Sequence, residues 1–125
     1  MTGKTILLAE DERSLRRAAE VALTRRGFRV IPAVNGEEAL RFARLHKPDL
    51  ILLDLLMPKM TGMQVLDALR ADPETRGLRV LILSNSSREL EITGAEALGV
   101  IDYWIKANVS LQELGDRVVK VFGGA

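Results

Sequence analysis

Short apolar runs alternate with longer stretches of helical period along the whole chain, and this alternation leaves few folds open. The runs are Thr5–Ala9 (TILLA), Phe28–Ala33, Asp49–Leu53 (DLILL), Arg79–Leu83 (RVLIL) and Asp102–Ile105. Their length and composition suit strands buried on both faces. Between them, Ser14–Arg25 carries Leu15, Ala18, Ala19, Ala22 and Leu23 at helical spacing and stops before Gly27. Asn35 can cap a helix from Gly36 to about His46, which Pro48 breaks. A third helix runs from Thr61 or Gly62 to Ala71 and ends at Asp72-Pro73. A fourth covers Ser87–Leu98, where Gly94 lowers the propensity by about 1 kcal/mol. Ser110 and Glu113 form a capping box for a last helix reaching about Phe122. Pro32 suggests that the second strand lies at a sheet edge.

Strands of this kind between helices predict an α/β domain with one parallel sheet covered on both faces. Right-handed crossovers restrict how it can be wound. With 125 residues the chain fits one domain, residues 1–125, with its core at about 4–122. Ligands of such sheets sit beyond the carboxyl ends of the strands, where strand order reverses.

The residues at those ends are informative. The first strand gives Glu10 and Asp11, the third Asp54, the fourth Ser84 and the fifth Lys106, while the second ends in Val34 and Asn35. Each has an ordinary explanation alone: an acid after a strand often caps the next helix, Asp11 and Glu12 suit a first helical turn, Ser84 suits a turn, and Lys106 suits a solvated loop. Asp54 resists such an explanation. It follows the apolar Leu50 to Leu53 and precedes a loop, LLMPKMTG, instead of a helix start. Gathered acids repel unless a cation joins them. Oxygen donors of this kind suit Mg²⁺ shared with a phosphate, and a nearby lysine supplies a second positive charge. Acid cluster, divalent cation, nucleophilic carboxylate and ammonium together point to phosphoryl transfer.

Composition excludes other chemistries. Without cysteine there is no disulfide, thiolate zinc site or thiol catalysis, and a cytoplasmic setting is the natural expectation. With 18 basic against 17 acidic residues, nothing suggests direct nucleic-acid or membrane binding. No apolar run approaches a membrane span, and the N-terminal MTGKTILLAEDE does not read as a signal peptide.

ILLAEDE, PDLILLDLLMPKMTG, VLILS and DYWIK, in this order and spacing, resemble the CheY-like receiver domains of bacterial response regulators. The resemblance runs from about Lys4 to Phe122. It implies a flavodoxin-like (βα)5 domain with a five-stranded parallel sheet of order 2-1-3-4-5. It implies a phosphorylation-dependent switch in two-component signalling, not a turnover enzyme. By the same resemblance, Asp54 matches the phosphoacceptor. Glu10, Asp11 and Asp54 match the ligands of Mg²⁺, with Mn²⁺ as a substitute, and the Leu56 backbone carbonyl completes the shell. Ser84 and Lys106 match the pair that binds the phosphoryl group. Ser84 and Tyr103 match the switch pair, and Leu56 and Ser86 the positions that tune phosphate lifetime. Implied partners are a sensor histidine kinase or phosphotransfer protein and a downstream effector or fused output domain. A phosphorylation-dependent homodimer is compatible with the family.

The chain departs from the family pattern at three places. Glu10 stands where Asp is commoner. Asn85 stands where Ala or Gly is usual, at a position controlling access to the site. Ala107 follows Lys106 where a proline with a cis bond is usual; a cis bond before a residue other than proline costs about 3 kcal/mol. Asn85 and Ala107 support an alternative, a phosphorylation-independent pseudo-receiver acting as a protein-binding module. An aspartyl phosphatase of the haloacid dehalogenase type would need a second acid at position 56, which is Leu. A P-loop motif and a glycine-rich dinucleotide turn are both absent.

His46 reads as solvated, Trp104, Met57 and Met60 as packing residues, and Arg16, Arg17, Arg25 and Arg26 as one solvated face of the first helix, with an acidic partner as the other option.

Overall fold

A computed structural model describes residues 3–123; Met1, Thr2, Gly124 and Ala125, at the ends of the chain, lie outside the described residues. Strands β1 (Thr5–Ala9), β2 (Arg29–Ala33), β3 (Leu50–Leu53), β4 (Val80–Ser84) and β5 (Asp102–Ile105) alternate with helices α1 (Arg13–Thr24), α2 (Gly36–His46), α3 (Gly62–Ala71), α4 (Glu89–Ala97) and α5 (Leu111–Val121). The strands form one parallel sheet of order β2-β1-β3-β4-β5. β2 is an edge, as Pro32 predicts, because a residue without an N–H is tolerated where one side of the strand has no ladder to supply.

Side chains alternate across the sheet and create two cores. Leu7, Ala9, Ile51, Leu53, Val80 and Ile82 face α2, α3 and α4. Ile6, Leu8, Leu50, Leu52 and Leu81 face α1 and α5 and pack with Trp104. The strand residues are apolar without interruption because both faces are covered.

Local signals set most helix ends. The Asn35 side chain accepts from Glu38 N at 2.9 Å. Capping boxes open α3 at Thr61 and α5 at Ser110. Gly27 adopts φ of 89°, a conformation that costs glycine little, as the chain leaves α1 for β2.

Boundaries differ from the sequence expectation at several points: the strand expected at Arg79–Leu83 is Val80–Ser84 and the helix expected at Ser14–Arg25 is Arg13–Thr24. α4 begins at Glu89, not Ser87, and its N-cap Arg88 makes no side-chain capping bond. Phe28 lies before β2, buried against Phe122 with ring centroids 5.6 Å apart. Asp49 stands before β3, and its Oδ2 accepts from Thr5 N at 2.8 Å. Apolarity and side-chain capping potential do not separate residues that extend a ladder from those that flank it. Among the described residues no helix is long and apolar enough to cross a membrane.

Candidate functional site

The strand register assembles the site. Ala9 pairs with Leu53, so the next residues of β1 and β3, Glu10 and Asp54, leave the sheet side by side. Asp54 N donates to Ala9 O and Glu10 N to Ala33 O, both at 3.1 Å, which holds the two acids at the rim. One carboxylate oxygen from each of Glu10, Asp11 and Asp54 lies within 4.8 Å of the others. Glu10 is 5% and Asp54 4% exposed, whereas Asp11 is open to solvent.

Lys106 supplies the counter-charge. Its Nζ donates to Asp54 Oδ2 at 2.8 Å and to Glu10 Oε1. Burial alone pulls the Lys106 pKa down. Its hydrogen bonds and charge interactions with Asp54 and Glu10 outweigh this and hold it above the ordinary value. The other oxygen of each buried acid accepts from a backbone amide: Glu12 N donates to Glu10 Oε2 at 3.0 Å and Leu56 N to Asp54 Oδ1 at 3.1 Å. The Leu56 side chain is exposed. Oxygen donors, two of them buried and drawn from two strands, fit a hard divalent cation such as Mg²⁺.

Two features beneath the acids have no counterpart in the sequence reading. Arg16 Nη1 donates to the carbonyls of Glu10 (2.9 Å) and Asp11 (3.2 Å), so it folds back onto the acid loop and does not stand on a solvated face. Arg26 likewise pairs with Asp116 of α5 at 2.6 Å. Nothing in the helical period separates these two arginines from Arg17 and Arg25, because their partners lie outside the repeat. Gly62 marks the second feature: an added Cβ would stand 2.2 Å from Asp54 O and 2.6 Å from Leu55 Cα. Only glycine lets the start of α3 pass so close behind Asp54.

On the β4 side Ser84 is fully buried, and its Oγ accepts from Ser86 N at 3.3 Å. The Ser86 hydroxyl donates to Glu91 in the first turn of α4. Tyr103, half-buried, donates its hydroxyl to Ser86 O at 2.6 Å. Burial raises the Tyr103 pKa, the bond to Ser86 opposes this, and the charges of Glu91 and Asp54 add to the rise. The phenol therefore stays a neutral donor.

The two unusual loop positions meet each other. Asn85, exposed, accepts at Oδ1 from Ala107 N at 3.0 Å. The peptide between Lys106 and Ala107 is trans, and Lys106–Asn108 form a short 3₁₀ turn. Trp104 packs in the core and donates through Nε1 to Asp102 Oδ2 at 2.8 Å. Met57 is buried and Met60 packs against the core. His46 is exposed at the end of α2, edge-on to Phe42.

A doubly wound flavodoxin-like domain with an acidic cluster and a lysine at the carboxyl edge of its sheet defines a recognisable class of α/β protein. The response regulator receiver domain family matches residues 6–119, and the chain belongs to it. It is 40% identical over 121 residues to the probable transcriptional regulator ycf27 of Porphyridium aerugineum, covering 97% of this chain and 49% of that protein. It is 37% identical over 116 residues to the alkaline phosphatase synthesis transcriptional regulatory protein PhoP of Bacillus subtilis (strain 168), covering 93% and 47%. The chain thus spans about half the length of these curated relatives. Among solved structures it resembles the receiver domain of the Francisella response regulator 1452, with a TM-score of 0.85 and 26% identity over 96% of this chain and 97% of that one. The Mn²⁺-bound form of response regulator Rcp1 superposes with a TM-score of 0.80 at 28% identity, covering 96% and 94%.

Proposed function

We propose that this domain is a phosphorylation-dependent switch that accepts a phosphoryl group on Asp54. The observation that carries the reading is the Asp54 carboxylate itself. It is buried at the end of a central strand, bonded to the Lys106 ammonium and clustered with Glu10 and Asp11. A buried carboxylate at a strand end, bonded to an ammonium and beside two further acids, is a poised nucleophile.

Glu10, Asp11, Asp54 and the Leu56 carbonyl would hold Mg²⁺. When bound, that ion supplies charge neutralisation for the phosphoryl oxygens. The chain's residues do the rest. An Asp54 oxygen forms the new P–O bond while the P–N bond to a kinase phosphohistidine breaks. The electron pair stays on the ring nitrogen, and an imidazole protonated at its other nitrogen leaves neutral. Lys106 turns from its two carboxylates toward the equatorial oxygens, where charge resides in the transition state. Ser84, whose Oγ accepts from Ser86 N, donates its hydroxyl proton to a phosphoryl oxygen. That draws the loop after β4 inward, releases the Tyr103 bond to Ser86 O and reshapes the face made by α4, β5 and α5. This face would engage an effector, an attached output domain or a second copy of the chain. A cytoplasmic setting and a sensor kinase or phosphotransfer donor complete the proposal.

Lifetime follows from the neighbours. The Leu56 side chain has no group to orient an attacking water, and the Ser86 hydroxyl is engaged by Glu91. Both support a long-lived phosphoryl group.

The test is intact mass after incubation with acetyl phosphate, with and without Mg²⁺, for the parent and Asp54→Ala. One added phosphoryl group that requires both Mg²⁺ and Asp54 is expected. Absence of the adduct would sink the switch reading in favour of a phosphorylation-independent binding module.

A further inference from the structure

The β4–β5 ladder ends at Ser84 opposite Ile105. Beyond it one chain enters the loop before α4 and the other enters the 3₁₀ turn Lys106–Asn108. The first N–H groups of a helical turn have no partner inside it. The turn closes at its end with a bond from Val109 N to Lys106 O at 3.1 Å, and its N-cap Ile105 provides no side-chain cap. A single turn gains nothing from cooperative propagation, so its shape depends on outside contacts.

The Asn85 side chain provides such a contact, accepting from Ala107 N at 3.0 Å. A backbone N–H can only donate, so the facing carboxamide atom is the oxygen. In effect the side chain adds one more rung to the ladder, directly above the site. Asn85 adjoins the buried Ser84, and Ala107 adjoins Lys106. The Lys106 ammonium reaches Asp54 and Glu10 on a flexible four-carbon stem. Where that stem leaves the backbone decides whether the ammonium arrives.

We propose that Asn85 is a positioning residue: its carboxamide oxygen holds the Lys106–Ala107 peptide and thereby seats the Lys106 ammonium between Asp54 and Glu10. Asn85 acts through Lys106, by the bond that its side chain accepts from Ala107 N. Its consequence for phosphoryl transfer rests on the function proposed above; its effect on Lys106 does not.

The experiment compares the parent with Asn85→Ala and Asn85→Asp, which keeps an acceptor at the same reach. Nuclear magnetic resonance reads hydrogen exchange at the Ala107 amide and the order parameter of the Lys106 side chain. Phosphorylation by acetyl phosphate with Mg²⁺ is timed for the same proteins and repeated in a Lys106→Ala background. Asn85 is exposed, so its truncation removes no core packing. In Asn85→Ala the Ala107 amide should lose protection, the Lys106 side chain should become more mobile, and the rate should fall about fivefold. Asn85→Asp should restore the amide protection and the Lys106 order. In the Lys106→Ala background Asn85→Ala should have no further effect on the rate. A Lys106 side chain as ordered in Asn85→Ala as in the parent would overturn the proposal. So would a rate loss of the same size with Lys106 absent, because Asn85 would then act by another route. If the parent takes up no phosphoryl group, the proposed function fails, and the Lys106 order parameter alone decides the role of Asn85.

Discussion

The Lys106 ammonium donates to Asp54 Oδ2 at 2.8 Å and also meets Glu10, joining residues 52 and 96 positions away in sequence. Both carboxylate side chains are nearly enclosed, at 5% and 6% exposure, and Lys106 is at 15%. Removing one partner of a buried ion pair leaves uncompensated charge. Lys106→Met keeps the stem and removes the charge. It should lower stability by about 3 kcal/mol at neutral pH without Mg²⁺. Added Mg²⁺ should recover part of that loss, because a cation held by the clustered acids would stabilise only the folded state. Urea unfolding with and without Mg²⁺ measures both effects; equal midpoints for parent and variant would refute the prediction.

The same ion pair gives a pH dependence with a defined sign. The Lys106 pKa is raised above its ordinary value of 10.5, burial being outweighed by Asp54 and Glu10. The stabilisation is fully present below 10.5 and is lost as pH rises through the higher folded-state pKa. Tyr103 adds a slope of its own at alkaline pH, since its pKa is also raised. Subtracting the unfolding curve of Lys106→Met, which retains Tyr103, isolates the lysine. The difference between the two proteins should be flat from neutral pH upward and shrink only above about pH 10.5. A difference that widened there would contradict the sign.

Arg16 bonds two successive main-chain carbonyls, those of Glu10 and Asp11. Arg16→Met retains the apolar stem and frees that loop. Loss of about 1 kcal/mol of positioning should weaken Mg²⁺ binding about fivefold by calorimetric titration, with little change in the unfolding midpoint. Unchanged affinity would show that the acid loop holds its shape without Arg16.

At Gly62 too, the backbone dictates chemistry. An alanine methyl there would meet Asp54 O at 2.2 Å and Leu55 Cα at 2.6 Å, both main-chain atoms that move only together. Gly62→Ala should cost about 1–3 kcal/mol and slow acetyl phosphate labelling of Asp54 by displacing its peptide. Gly77, where an added Cβ meets nothing within 4 Å, serves as the control for the general effect of replacing glycine.

Most elements of this domain are legible in the chain because their signals are local. The unbroken apolarity of Leu50–Leu53 marks a strand covered on both faces. Asn35 and Ser110 cap the helices that they precede, and Pro32 lies on an edge. The acids, the serine and the lysine are visible as strand-terminal residues, and family resemblance supplies the sheet order. Where the local signal fails, so does the boundary: no side chain caps α4, and it starts two residues later than Ser87 suggests.

What the sequence by itself determined is which residues reach the carboxyl edge of the sheet, since that depends on where each apolar run stops. Which of them touch was decided by the tertiary structure. The pairing of Ala9 with Leu53 puts Glu10 beside Asp54, and the place of β5 beyond β4 brings Lys106 within reach of both. The contacts of Arg16 with the acid loop and of Asn85 with Ala107 follow from the same assembly. Periodicity reports the face a residue occupies on its own element, whereas these contacts depend on register and packing between elements far apart in the chain.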